Sequence, residues 1–252
     1  MFKSKITKIA KLSALTVVIA VAATLTVVQV EAKGFGRGGS NQSNQTISQK
    51  VQSYTTSTLL VENLSTNEVN ALLLLREEEK VARDVYLTLG DLYHTNVFYN
   101  IAKSEQNHMD AIKTLLEKYS INDPVKDETV GSFTNKDMAS LYQSLVKQGS
   151  TSYTEALVVG ATIEDLDIND IDKQVEAIDN QDILGVFARL RSGSENHLRA
   201  FVNNLKVQGG EYKSQFISDE EYNNILSSES SKQQGKQTAQ GSNQNQGRSR
   251  RK

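Results

Sequence analysis

Glu105 and His108 interrupt an otherwise apolar helical stripe that runs Phe98, Ile101, Glu105, His108, Ile112, Leu115, Tyr119. The steps alternate three and four, the spacing of the face that a helix turns toward its neighbours in a bundle. Side chains at i and i+3 stand one above the other, so the carboxylate and the imidazole aim at one spot in the core. A buried carboxylate without a partner charge is costly, and a metal ion is one of its usual remedies. Glu-x-x-His on an inward helix face is also half a ligand set for a pair of metal ions held between helices.

The rest of the chain offers matching groups. In a first stripe, Leu72, Leu75, Glu79, Ala82, Tyr86, Leu89, a carboxylate again occupies a core position. Its neighbour Glu78 lies on an adjoining stripe with Leu74, Val81 and Val85 and is a second candidate, whereas Glu77, beside Leu73, Lys80 and Asp84, reads as solvated. A third stripe through Leu157, Gly160, Glu164, Ile168 and Ile171 contains Glu164, with Asp167 three residues further on the same face; Asp165 and Asp170 read as part of a solvated helix end. A fourth, Ile183, Val186, Leu190, Ser194, His197, Phe201, Asn204, holds the second inward histidine, while His94 reads as a surface residue. Glu79, Glu105, His108, Glu164 and His197 are thus one or two candidate ligands per helix. Oxygen with imidazole nitrogen suits iron or manganese, with zinc and copper as competitors. The alternative is a core in which these groups satisfy one another by hydrogen bonds. Tyr86 reads as a core tyrosine with a satisfied hydroxyl, the alternative being a hydrogen-bond donor or electron relay at the site.

Four long helices must position these residues: about Ser65–Leu92, opened by a capping box at Ser65 and Glu68, then Phe98–Tyr119, about Ser152–Ile168, and about Asp179–Val207. Between the second and third lies a long connection with a short helical pattern at Met138, Leu141, Tyr142 and Leu145 that Gly149 closes. So long a link suggests a crossover between helix pairs. The expectation is an all-α chain, an up-down four-helix bundle over residues 59–226 with a crossover connection and a short extra helix. Residues 33–58 read as a disordered linker and 227–252 as a disordered, Gln/Ser/Asn-rich tail with a basic end. In residues 1–32, four lysines precede an apolar run and Val30-Glu31-Ala32 offers a cleavage site, the pattern of a signal peptide and a secreted or extracytoplasmic protein. The run is close to the ~20 residues that span a bilayer, so a retained anchor is the alternative, and the membrane is a partner only in that case. Losing this segment removes four lysines and one glutamate from a chain whose formal net charge is already −2, which argues against nucleic acid as a partner. With no cysteine among the 252 residues, neither disulfides nor thiolate ligands are available, and any metal must be held by oxygen and nitrogen.

The segments from Leu75 to Tyr86, Asn100 to Asp110, Gly160 to Ile168 and Gly193 to Phe201, with Gly209–Tyr212 and Gln215–Ser218 behind them, resemble an uncharacterised ferritin-like family of bacteria and archaea. That family is a domain of unknown function related in pattern to rubrerythrins, and the resemblance covers about Leu64 to Leu226. It implies a ferritin-like bundle and, by analogy with rubrerythrin, a non-haem di-iron site with two ions per chain. Glu79, Ala82 and Tyr86 repeat the rubrerythrin spacing on the first helix, which supports Glu79 over Glu78. One departure stands out. A second Glu-x-x-His is expected on the fourth helix, but Ser194 sits three before His197 and Glu195 is one residue off the stripe. Asp167 reaching in is the preferred remedy; Glu195 swinging in, or a weakly held second metal, are the others. The implied chemistry is ferroxidase- or peroxidase-like, with electrons from an external donor and a homodimer as the common assembly. The competing reading is a non-catalytic bundle that carries metal or binds a partner.

Overall fold

The computed structural model describes residues 64–228. The expected leader, the linker and the tail beyond residue 228 lie outside the described residues, while residues 227 and 228 are helical. The described chain is all-helical, with no strand among its residues.

Local sequence sets the helix boundaries. Helix α1 (Thr66–Tyr93) opens on the expected capping box: the Glu68 amide donates to Ser65 Oγ at 3.3 Å and the Ser65 amide to Glu68 Oε2 at 2.7 Å. It ends at His94, which adopts a left-handed conformation (φ 52°) and donates its N–H to Gly90 O at 2.8 Å. Only His94 and Thr95 separate α1 from α2 (Asn96–Lys118), so the two helices are antiparallel neighbours. Helix α3 (Lys136–Gly149) is the short extra element, capped by Asn135. Helix α4 (Tyr153–Val175) starts on a Ser152 cap and α5 (Gln181–Val207) on an Asn180 cap. A further helix spans residues 219–228. The reading that ended α4 near Ile168 is corrected: the apolar face continues through the buried Ile171 and carries the helix to Val175.

α1 packs most extensively on α2, and α4 on α5; α1 also touches α4, α2 touches α5, and α3 lies against α1 and α4. Two apolar cores result. One gathers Tyr86, Leu89, Phe98, Leu157 and Phe201, and the other Leu72, Leu75, Ile112, Phe187 and Leu190. The polar stripe positions of the four long helices fall between these two sets in the chain.

Two sequence expectations of solvated acids are overturned. Asp165 is fully buried, because its carboxylate accepts from Tyr212 Oη at 2.7 Å and from the amides of Gln215, Phe216 and Ile217 at 2.6, 3.3 and 3.0 Å. It holds the segment after α5 onto α4. Asp170 is buried beside Lys173. The face of α1 beside Glu77 is not solvated either. The connection before α3 covers it: Glu77 is half-buried and accepts from Asn135 Nδ2 at 3.1 Å, while Lys80 and Asp84 are buried. There Arg76 donates to Asp123 and Glu128, Lys80 to Asp84 and the Thr129 carbonyl, and Arg83 to Asp84 and the Glu128 carbonyl.

Candidate metal centre

Five of the six residues singled out by type and spacing come together between the two apolar cores. Glu79 from α1, Glu105 and His108 from α2, Glu164 from α4 and His197 from α5 form two triads, Glu79–Glu105–His108 and Glu105–Glu164–His197, each with ligand-type atoms within 4.8 Å of one another. Glu105 belongs to both. Its Oε2 lies 2.7 Å from His108 Nδ1 and its Oε1 2.7 Å from His197 Nδ1, so one carboxylate faces both halves. His108 Nδ1 is also 3.2 Å from Glu79 Oε2, and His197 Nδ1 is 3.4 Å from Glu164 Oε2. The two imidazoles stack with ring centroids 5.5 Å apart.

Of these four approaches, only His108 Nδ1 with Glu79 Oε2 is a hydrogen bond. Both oxygens of Glu105, Glu79 Oε1, Glu164 Oε2 and His197 Nδ1 are buried without a hydrogen-bond partner among the described residues. Lone pairs therefore converge on common points instead of on N–H vectors, an arrangement that a protein core rarely tolerates and that a cation satisfies. All three glutamates are completely buried.

The electrostatics follow from burial and proximity. Burial pushes Glu79 up to about 8, against the pull of His108, and raises Glu164 with help from the charge of Glu105. Burial also works on Glu105, but the facing imidazoles of His197 and His108 outweigh it and hold this carboxyl below its usual range. Burial opposes charge on the imidazoles too, yet Glu79 and Glu105 lift His108 to about 11, and Glu105 and Glu164 lift His197 to about 10. A cation bound here competes with protons for the same carboxylates and imidazoles.

The surrounding shell is built from small and aromatic residues. Tyr86 is fully buried and donates to Glu164 Oε1 at 2.5 Å, with its ring against Phe98 and Phe201. Burial and Glu164 raise its phenol well above the ordinary value, so it remains a donor. Of the two readings of Tyr86, the core residue and the hydrogen-bond donor are both correct. Gly193 is a contributor that the stripe pattern missed: a Cβ there would lie 2.5 Å from His108 Nε2, so its absence makes room for the ring. A glycine inside a helix, one residue from the stripe, was the only available signal.

The remaining candidates lie elsewhere. Asp167 is buried but joins neither triad. Glu195 turns outward to Arg191, which also pairs with Asp172 and Glu221. Glu78 is buried beside Asp170 rather than at the triads, and His94 is an exposed helix cap. Ser194, in the expected place of a sixth ligand, is fully buried and donates to the Leu190 carbonyl at 3.2 Å.

A family model described as an uncharacterized protein domain, DUF2202, matches residues 68–229. The chain is 52% identical over 172 residues to the uncharacterized protein MJ0754 of Methanocaldococcus jannaschii, an alignment covering 68% of this chain and 93% of that protein. The crystal structure of the hypothetical protein MJ0754 from Methanococcus jannaschii aligns with a TM-score of 0.65 at 51% identity, over 68% of this chain and 97% of that one.

Proposed function

Since the chain belongs to the DUF2202 family, whose description names no activity, its chemistry is read from its own residues, and we propose that it is an exported, ferritin-like protein binding a pair of iron ions in its core for redox chemistry with dioxygen or peroxide. One observation carries this reading: Glu105 faces His108 and His197 at once, and the oxygens around it are buried and unpaired. Glu79, Glu105 and His108 would hold one ion, and Glu105, Glu164 and His197 the other, with Glu105 shared between them. Carboxylate and imidazole donors suit iron, and manganese or zinc fit the same set. When bound, iron would supply one-electron chemistry with dioxygen or peroxide. The protein's part is to fix the donors, keep water out through the two apolar cores, and hold the Glu164 carboxylate in place through the Tyr86 hydroxyl. The chain has no cysteine-based iron centre, so the electrons are assigned to an external donor. The pattern of residues 1–32 supports export, and a homodimer is the assembly the ferritin-like reading favours.

Ser194 supports a second reading, a metal-carrying bundle without catalysis, because it stands where a sixth ligand is expected and donates to the Leu190 carbonyl instead. Elemental analysis of the full-length protein reloaded anaerobically with Fe(II), beside Glu105→Ala, tests the metal pair. The expected result is about two irons per chain, lost in the variant. Oxygen uptake by the loaded protein then separates the two readings: rapid consumption supports the redox protein, and none supports the carrier. No retained metal would remove both.

A further inference from the structure

Two buried carboxylates outside the triads each have an oxygen with no hydrogen-bond partner among the described residues. Glu78 and Asp167 are 8% and 5% exposed. Glu78 Oε2 and Asp167 Oδ2 are buried without a hydrogen bond. Both residues line one cavity of about 20 Å³ among α1, α3 and α4, walled otherwise mainly by Val81, Leu141, Ile163 and Leu166. That is space for about one water molecule or a small cation, not for an organic substrate. Two carboxylates in an apolar cavity are tolerated poorly unless a cation or a donor reaches them, and among the described residues no donor reaches either buried oxygen.

The cavity also has a direction. Glu164, Asp167, Asp170 and Lys173 follow at three-residue steps on α4, so each side chain neighbours the last on the helix surface, starting from the paired centre. Glu78 reaches the same cavity as Asp167 from α1. Asp170 pairs at 3.2 Å with Lys173, whose side chain is 54% exposed. Carboxylates thus run from a surface lysine inward through Asp170, Glu78 and Asp167 to the paired centre.

We propose that Glu78 and Asp167 form a third cation subsite, through which divalent metal ions pass from the surface at Lys173, by way of the buried Asp170, to the paired centre. The proposal rests on the two-metal reading above and changes the role of Asp167 from sixth ligand to carrier. Hard oxygen donors replace part of the water shell of an incoming ion, and the negative field draws it inward. Lys173 competes with it at the outer end.

Stopped-flow mixing of the metal-free, full-length protein with Co(II), followed by cobalt absorption and by equilibrium titration, tests the subsite. Wild-type protein should bind a third, weaker equivalent beside the tight pair. Glu78→Gln and Asp167→Asn should each remove that equivalent and slow loading of the pair about tenfold, with the stoichiometry of the pair and its final spectrum unchanged. Lys173→Gln, at an exposed position and with Asn169 still donating to Asp170 at 2.8 Å, should speed loading, and it decides the matter if the buried variants fail to fold. Loading at the wild-type rate in these variants overturns the subsite. So does an Asp167→Asn protein that loads at the normal rate but holds the pair more weakly, which would make Asp167 a ligand. A wild-type protein that binds no Co(II) instead defeats the two-metal reading itself.

Discussion

Helix α1 buries two clusters of charge on different faces, and they are resolved in opposite ways. On the face covered by the connection before α3, three cations, Arg76, Lys80 and Arg83, meet three acids, Asp84, Asp123 and Glu128. Asp84 alone accepts from Lys80 at 2.5 Å, from Arg83 at 2.7 and 2.9 Å, and from the Gly131 amide at 3.0 Å. The other face presents Glu79 to Glu105, Glu164 and two imidazoles, and most of the oxygens there have no donor. Both clusters bear the desolvation cost of buried charge. One is balanced by the chain itself. In the other, carboxylates outnumber the cations the chain can offer, and this imbalance, more than the presence of acids and histidines, marks the place where something else binds.

The largest expected effect tests the balanced cluster. Asp84→Ala leaves Lys80 and Arg83 buried without their shared acceptor, and should cost about 3–5 kcal/mol in urea unfolding, equally with and without metal. A loss restricted to the metal-loaded protein would show that the two clusters are not independent. At the unbalanced face, metal should act as the missing cation. Loading at about a hundredfold excess over Kd should add about 2.7 kcal/mol of stability, seen as a rise in Tm that Glu105→Ala abolishes and Asp84→Ala does not.

The pH dependence of the metal-free protein sharpens the contrast further. His108 and His197 titrate near 11 and 10 in the folded cluster and Glu79 near 8, all above their unfolded values. The folded state therefore binds more protons, so stability falls as pH rises. For the imidazoles the contribution is complete below about 6.5 and is lost by the time pH has passed their folded values. Chemical denaturation between pH 6 and 11 should show this decline in the metal-free form and a shallower one after loading. Metal binding should release protons over the same range, measurable by calorimetry in buffers of different ionisation enthalpy. Gly193→Ala, which pushes a methyl group against His108, should weaken metal binding about tenfold with little loss of helicity. Smallest of all, Glu195→Ala breaks only the outward pairs with Arg191 and Arg199 and should change stability by less than about 0.5 kcal/mol and metal content not at all.

Much of this was legible in the sequence because it depends on helical periodicity. A polar residue in a strict three–four stripe must point inward, so Glu79, Glu105, His108, Glu164 and His197 could be named before their neighbours were known. The capping box at Ser65 and the short helix ending at Gly149 are equally local signals. What periodicity could not resolve were acids whose partners lie far along the chain. Asp165 looks solvated until Tyr212 and the amides of residues 215–217 reach it, and Glu77 until Asn135 does. Asp167 shares a helix face with Glu164, but sharing a face fixes direction and not depth, and its carboxylate enters the neighbouring cavity.

The Asp165 anchor also sets an order in time. A carboxylate cannot leave water before its donors arrive, and those of Asp165 lie 47 to 52 residues downstream. While the chain is being made, α4 can emerge and pair with α5, yet the side of α4 around Asp165 must stay wet until Ile217 has left the ribosome. The last part of the domain to be synthesised therefore closes it, so a chain truncated just after α5 would contain every residue of the two triads and still expose a polar gap on α4.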